Sequence, residues 1–312
     1  MTDKAIPVDL YKKHRPRRFK DMVGQSEIVG QFEEWLTNDR VPNAILLVGP
    51  SGVGKTTLAR IVKNELGCSK SDYQEINAAD SRGIDTVRDI SVRIHLSPMG
   101  GGKARVWIID EAAKLTGDAQ TALLKVLEDG PPHAYFFLCT TDPQKLLKTI
   151  ITRCTELKFR ALTKDELLGL LSVVAAKENN ALSANVAERI AEAADGSARK
   201  ALVLLHQVMG LANEEEQLNA VQKSDSRRQA IELARILMNE RTPWPKVVEI
   251  LNGVDEEPES LRRMILSYYQ KVLLGGGPKA PRAAELIERF ADNYYDVGRA
   301  GLVLACWGSL RK

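Results

Sequence analysis

Apolar runs and helical repeats alternate along the first half of the chain, and helical repeats alone occupy the second. Ala44-Ile45-Leu46-Leu47-Val48 is unbroken by polar residues and ends at Gly49, as befits a strand buried on both faces of a parallel sheet. Similar buried strands are expected at Tyr73–Asn77, Val106–Asp110, Ala134–Thr140 and Glu156–Phe159. A helix should run from Lys55 to Leu66 and stop at Gly67, a favoured C-terminal residue. Ala119, Ala122, Leu123, Val126 and Leu127 fall on one helical face, with Thr116 as N-cap and Gly130-Pro131-Pro132 as the stop. Strands alternating with helices imply crossover connections, so the fold class is α/β with a parallel sheet.

From Ala161 onward the strand signals cease. Helical stretches at Thr163–Glu178, Ala184–Ala194 and Ala198–Met209 suggest a small helical lid. After the polar Asn213–Gln217, a second helical block is broken at Glu256-Glu257-Pro258 and at Gly275-Gly276-Gly277-Pro278. Three domains are therefore expected: a nucleotide-binding core at 1–160, the lid at 161–222 and an all-helical collar at 223–312. A length of 312 residues, at a prior of roughly 150 residues per domain, suggests two or three domains.

Composition narrows the picture only a little. With 44% hydrophobic and 27% charged residues, no apolar run long enough to span a bilayer and no apolar signal core at the N-terminus, the expectation is a cytoplasmic protein without a membrane partner. If the source were viral, the address would be a compartment of the host cell. Cys68, Cys139, Cys154 and Cys306 stand far apart, which suggests buried thiols rather than a zinc site or disulfides. A net charge of +3 gives no global electrostatic footprint of nucleic acid, so any such surface must be local.

The chemistry is concentrated in two motifs. Gly49-Pro50-Ser51-Gly52-Val53-Gly54-Lys55-Thr56, followed by Thr57, fits the phosphate-binding loop pattern and lies between an expected strand and helix. Its glycines let backbone N–H groups turn inward toward phosphate, and the helix N-terminus adds positive potential. Lys55 supplies a compact charge, and Thr56 a hydroxyl ligand for Mg²⁺. Val106-Trp107-Ile108-Ile109 then leads to Asp110-Glu111 at a strand end that should face the nucleotide crevice. Asp110 would orient Mg²⁺, and Glu111 would polarise the water that attacks the γ-phosphate of ATP.

With both motifs placed, the stretch Ile109 to Lys125 resembles the AAA+ subunits of sliding-clamp loaders. Thr140-Thr141-Asp142-Pro143-Gln144-Lys145-Leu146, Thr152-Arg153-Cys154, Lys13-His14-Arg15-Pro16, Phe19 and Val23-Gly24-Gln25 extend the resemblance. It covers about Tyr11 to Met209 and is similar both to the bacterial polymerase III gamma/tau subunit and to replication factor C small subunits. The resemblance implies a sensor at Thr141, with Thr140 as the adjacent alternative. It also implies an arginine finger at Arg153 that enters a neighbouring subunit's site, and a second sensor at Arg199. Tyr11, Arg15, Pro16 and Val23 resemble the segment that lies across adenine and ribose, whereas His14 stands where an aromatic is usual and is assigned no chemistry. Arg82, Arg88 and Lys114 would touch DNA phosphates, the alternative being ordinary surface charges. Met99, in the loop Leu96 to Gly102, would insert into a clamp, the alternative being a gap-filling core methionine.

The chain departs from the family in three ways. Only Cys68 stands where the bacterial subunit carries a four-cysteine zinc module, which together with the short C-terminus argues against a tau-type tethering subunit. The finger motif has Thr152 in place of serine, and beyond Lys223 no motif matches. The implied function is an ATPase subunit of a ring-shaped, pentameric loader, acting with companion clamp-loader subunits, a sliding clamp and primer-template DNA. The alternatives are another AAA+ DNA motor, such as a branch-migration helicase, and a non-catalytic scaffold subunit. Against the latter stands the complete set of Lys55, Thr56, Asp110 and Glu111.

Overall fold

The computed structural model describes residues 9–99, 101–254, 256–295 and 297–311. They form two compact units that divide between Gly210 and Leu211.

The first unit contains α1 (Leu10–Lys13), α2 (Ser26–Thr37), β1 (Ala44–Val48), α3 (Lys55–Glu65), β2 (Tyr73–Asn77), α4 (Ile84–Arg93) and β3 (Arg105–Asp110). It continues with α5 (Gly117–Glu128), β4 (Ala134–Thr140), α6 (Lys148–Ile151), β5 (Thr155–Lys158), α7 (Lys164–Lys177), α8 (Ala184–Ala194) and α9 (Ala198–Val208). The strands pair in parallel in the order β2-β3-β4-β1-β5. Alternate residues of each apolar run serve opposite faces. Ile45, Leu47, Val106, Ile108 and Phe137 pack with Phe32 of α2 and Leu58 and Val62 of α3. Leu46, Trp107, Ile109, Phe136 and Leu138 pack with Val87 and Ile90 of α4 and Leu123 of α5. Each fully buried large apolar side chain stabilises by about 1.5–3 kcal/mol before entropy is counted.

Local capping explains the helix boundaries. Thr116 Oγ1 accepts from the Ala119 N–H at the start of α5, and Thr163 with Glu166 forms a capping box on α7. Three strand edges differ by one residue from the expectation. Strand β3 starts at Arg105, whose charge is buried against Asp72 at 2.9 Å, and β5 starts at Thr155 rather than Glu156 and ends at Lys158 rather than Phe159.

The second unit is entirely helical among its described residues: α10 (Glu214–Leu237), α11 (Trp244–Gly253), α12 (Pro258–Leu274), α13 (Ala280–Arg289) and α14 (Gly298–Gly308). Leu233, Leu237, Ile265, Tyr269, Leu286, Phe290 and Cys306 centre its core, where the Tyr269 hydroxyl donates to the Ala234 carbonyl at 3.2 Å. The boundary expected between 222 and 223 falls inside α10. The polar Asn213–Gln217 is the capped start of that helix rather than a linker, since Asn213 Oδ1 accepts from the Glu216 N–H. No helix among the described residues is long and apolar enough to cross a membrane.

Candidate nucleotide-binding site

Strand β1 delivers the chain to a loop at the carboxyl end of the sheet, where ligands bind in open parallel sheets. Two of its glycines are irreplaceable on steric grounds. A Cβ on Gly49 would lie 2.4 Å from the Phe159 carbonyl oxygen, and one on Gly52 would lie 2.1 Å from Ser197 Oγ. The Gly52 carbonyl also accepts from the Arg199 N–H at 3.3 Å, so the loop touches the start of α9 directly.

Lys55, the first residue of α3, is only 7% exposed. Its Nζ donates to the carbonyls of Gly49 and Pro50, both at 2.7 Å. Burial lowers the lysine's pKa, against the attraction of Asp110 and Glu111. Thr56 Oγ1 donates to Asp110 Oδ2 at 2.8 Å, while Asp110 Oδ1 accepts from the Glu111 N–H at 3.0 Å. A hydroxyl and a carboxylate at this separation form a hard-oxygen pair that fits Mg²⁺. Glu111 sits in the left-handed region, with φ 53°. For a residue with a side chain this costs on the order of 1–3 kcal/mol, a strain that often marks functional sites.

One cavity gathers most of the residues singled out in the sequence. Ser51 to Thr57, Asp110 and Glu111 line it beside Tyr11, Arg15, Pro16, Val23 and Arg199. Gly49 and Pro50 stand behind the lining and supply carbonyls to Lys55. Arg199 lies 5.8 Å from the centre of the Tyr11 ring. Met22, Arg60, Leu162, Leu170, Ala198 and Leu202 also line the cavity without having been foreseen. Leu170, Ala198 and Leu202 follow the same helical periodicity as core residues, while Met22 and Leu162 lie in connecting segments with no periodic signal at all. His14, assigned no chemistry, is a lining residue as well.

Other candidates lie elsewhere. Thr140 is 1% exposed and its Oγ1 accepts from the Asp142 N–H at 3.0 Å, whereas Thr141 is exposed at the tip of β4. Neither lines the cavity. Arg153, just beyond α6, is exposed, pairs with Glu128 of α5 and donates to the Thr149 carbonyl at 2.9 Å. It too does not line the cavity. Arg82, Arg88 and Lys114 are exposed, and Arg88 is paired with Asp85 at 2.9 Å.

Met99 is 61% exposed, so it is not a core gap-filler, and Gly100 of its loop lies outside the described residues. The same stretch exposes Val92 and Leu96, apolar residues that carry no motif. Asp72 holds the loop by accepting from the Met99 N–H at 2.8 Å. Burial pushes the Asp72 carboxyl up, but the Ser69 hydroxyl, the Met99 N–H and Arg105 outweigh it and keep the pKa low.

Known proteins with similar sequences point one way. Residues 69–163 match the family model described as DNA polymerase III, delta subunit. The DNA polymerase III subunit tau of Bacillus subtilis is 35% identical over 226 residues, covering 66% of this chain and 40% of that protein. The subunit gamma of Buchnera aphidicola (from Acyrthosiphon pisum) is 33% identical over 225 residues, covering 65% of this chain and 62% of that one. The chain thus spans less than two thirds of the length of these relatives. Among solved structures, the Thermotoga maritima RuvB Holliday junction branch migration motor superposes with a TM-score of 0.57 at 21% identity, over 80% of this chain and 84% of that one. That likeness shows a shared fold. Together these similarities bear out the resemblance read from the motifs.

Proposed function

We propose that this chain, an AAA+ α/β module of the clamp-loader kind in its first two thirds, is an ATP-hydrolysing subunit of a ring-shaped, pentameric assembly. That assembly would open a processivity clamp and place it on primer-template DNA. The observation that carries the reading is convergence at one cavity. The phosphate loop, the Asp110-Glu111 tip, the N-terminal segment and Arg199 all line it, while Arg153 stands outside.

The chemistry follows from these positions. A triphosphate entering the loop offers Lys55 better acceptors than the Gly49 and Pro50 carbonyls it holds. Thr56 and Asp110 would hold Mg²⁺, which when bound supplies positive charge against the phosphates. Glu111 then orients a water in line with the γ-phosphorus and takes its proton as the bond to the ADP oxygen breaks. Arg199 would meet the γ-phosphate of its own subunit, with Thr141 or Thr140 adjusting at the tip of β4. Arg153 would reach the phosphate of a neighbouring subunit and neutralise charge in the transition state. On the outer surface, Met99 with Val92 and Leu96 would dock on the clamp, and Arg82, Arg88 and Lys114 would hold DNA phosphates without reading sequence.

Turnover of magnesium ATP tests the reading. It should rise when companion subunits, clamp and primer-template DNA are supplied together, and Glu111→Gln should abolish it while sparing ATP binding. Stimulation by four-way junctions alone would favour the alternative of a branch-migration motor. No turnover in any assembly would leave a scaffold.

A further inference from the structure

The N-terminal segment forms one wall of the cavity, yet its side chains also reach away from it. Lys13 Nζ lies 2.7 Å from Glu178 Oε1 and 2.8 Å from Oε2. His14 Nε2 bonds the same carboxylate. Glu178 caps the C-terminus of α7. His14 and Glu178 are sheltered, with side chains 11% and 14% exposed, so water competes weakly for this pair. The protons of Lys13, then of His14, hold the Glu178 carboxyl below the usual range. Next to this anchor, Leu10 is buried and α1 packs on α9. The segment that walls the cavity is thereby tied to α7 and α9.

We infer that Glu178 is a positioning residue for nucleotide binding: through Lys13 and His14 it fixes the Tyr11–Pro16 wall, so the side of the cavity opposite the phosphate loop is set by the lid. The inference rests on the nucleotide reading of the cavity. It has a consequence that the phosphate machinery alone does not. Tyr11, Arg15 and Pro16 would face base and ribose, which ATP and ADP share, so loosening the wall should weaken both nucleotides alike. A defect in Lys55 or Arg199, which face phosphates, should penalise ATP more than ADP.

The test is titration of the full chain with magnesium ATP and magnesium ADP, comparing wild type with Glu178→Gln and with the reciprocal double variant Lys13→Met, His14→Gln. The expected result is a loss of about tenfold in affinity for both nucleotides in both variants. Amide exchange at 10–16 should quicken and that of α3 stay unchanged. Affinities within twofold of wild type, or a loss confined to ATP, would overturn the inference while leaving the cavity's function intact. Weaker binding accompanied by faster exchange throughout the first unit would mark a general loss of folding and also overturn it. If the wild-type chain bound neither nucleotide, the reading of the cavity would fall and this inference with it.

Discussion

Both units of the protein bury charge, and Glu259 of the second and Lys55 of the first are housed in opposite ways. Glu259 in the second unit is 6% exposed and is met by complementary groups. Arg262 donates to both its oxygens at 2.8 and 2.6 Å, Arg263 at 3.1 Å and the Tyr294 N–H at 3.0 Å. Those hydrogen bonds, Arg262's foremost, hold its carboxyl down at about 2. Lys55 in the first unit is buried to the same degree, but it gives its protons to two backbone carbonyls and its pKa is pulled down by burial. A charge matched by opposite charge serves the fold. A charge held by neutral carbonyls at the edge of a cavity has no such partner, and on the proposed reading it serves an anionic ligand.

Substitutions that spare one property and remove the other sharpen this contrast, and the largest effect should come from a charge that is neither buried nor in its own cavity. Arg153→Ala should leave ATP binding by the isolated chain unchanged and lower turnover in the assembled ring by roughly a thousandfold. Unchanged turnover in the ring would remove Arg153 from a role in trans. Lys55→Ala comes next. It should weaken magnesium ATP binding by roughly thirty- to hundredfold, about 2–3 kcal/mol, by loss of charge-assisted bonds to phosphate. Its thermal midpoint in the absence of nucleotide should stay near that of the wild type, and a large drop would mean that Lys55 serves the fold as Glu259 does.

How much of this was legible in the sequence depended on the range of the interaction. The phosphate loop and the Asp110-Glu111 tip could be placed because glycine spacing, the strand before and the helix after are all local, and the sheet then brings the two motifs within a hydrogen bond. The wall formed by Tyr11, Arg15 and Pro16 came from resemblance, since nothing near those residues shows what they face. Leu170 and Leu202 were hidden because a helix position facing a cavity repeats like one facing a core. The Glu178 contacts join residues 164 and 165 positions apart, beyond any periodicity. Arg105 was left out of its strand because a buried arginine is improbable until Asp72 is known to be beside it. The 222/223 boundary falls inside α10, because the polar first half of that helix gives too little apolar periodicity to show that one helix runs from Glu214 to Leu237.

Glu259→Gln reverses the Lys55 experiment. It keeps the shape of the side chain and removes the charge that Arg262 and Arg263 answer. Urea or thermal unfolding of the full chain should show the helices of 211–312 melting several degrees lower, with nucleotide affinity unchanged. Equal loss of affinity would tie the two units energetically and blur the contrast.

The smallest effect is expected from acid. Glu166, bonded to Arg160 at 2.8 and 2.6 Å in the capping box of α7, is held at about 2, as Glu259 is, against an ordinary value of 4.5. A carboxyl whose folded pKa is depressed adds stability that is present above the unfolded value and lost as pH falls toward the folded one. Resistance to urea should therefore be level above about pH 5 and decline between 4.5 and 2. Depressed carboxylates lie in both units, Glu166 with Asp72 and Glu178 in the first and Glu259 in the second, so both units should weaken in acid, and Glu259→Gln should flatten the decline in the second unit alone. If the decline in that unit were as steep in the variant as in the wild type, the acid sensitivity would belong to other carboxylates, and the buried Glu259 would not be the group that acid titrates in its unit.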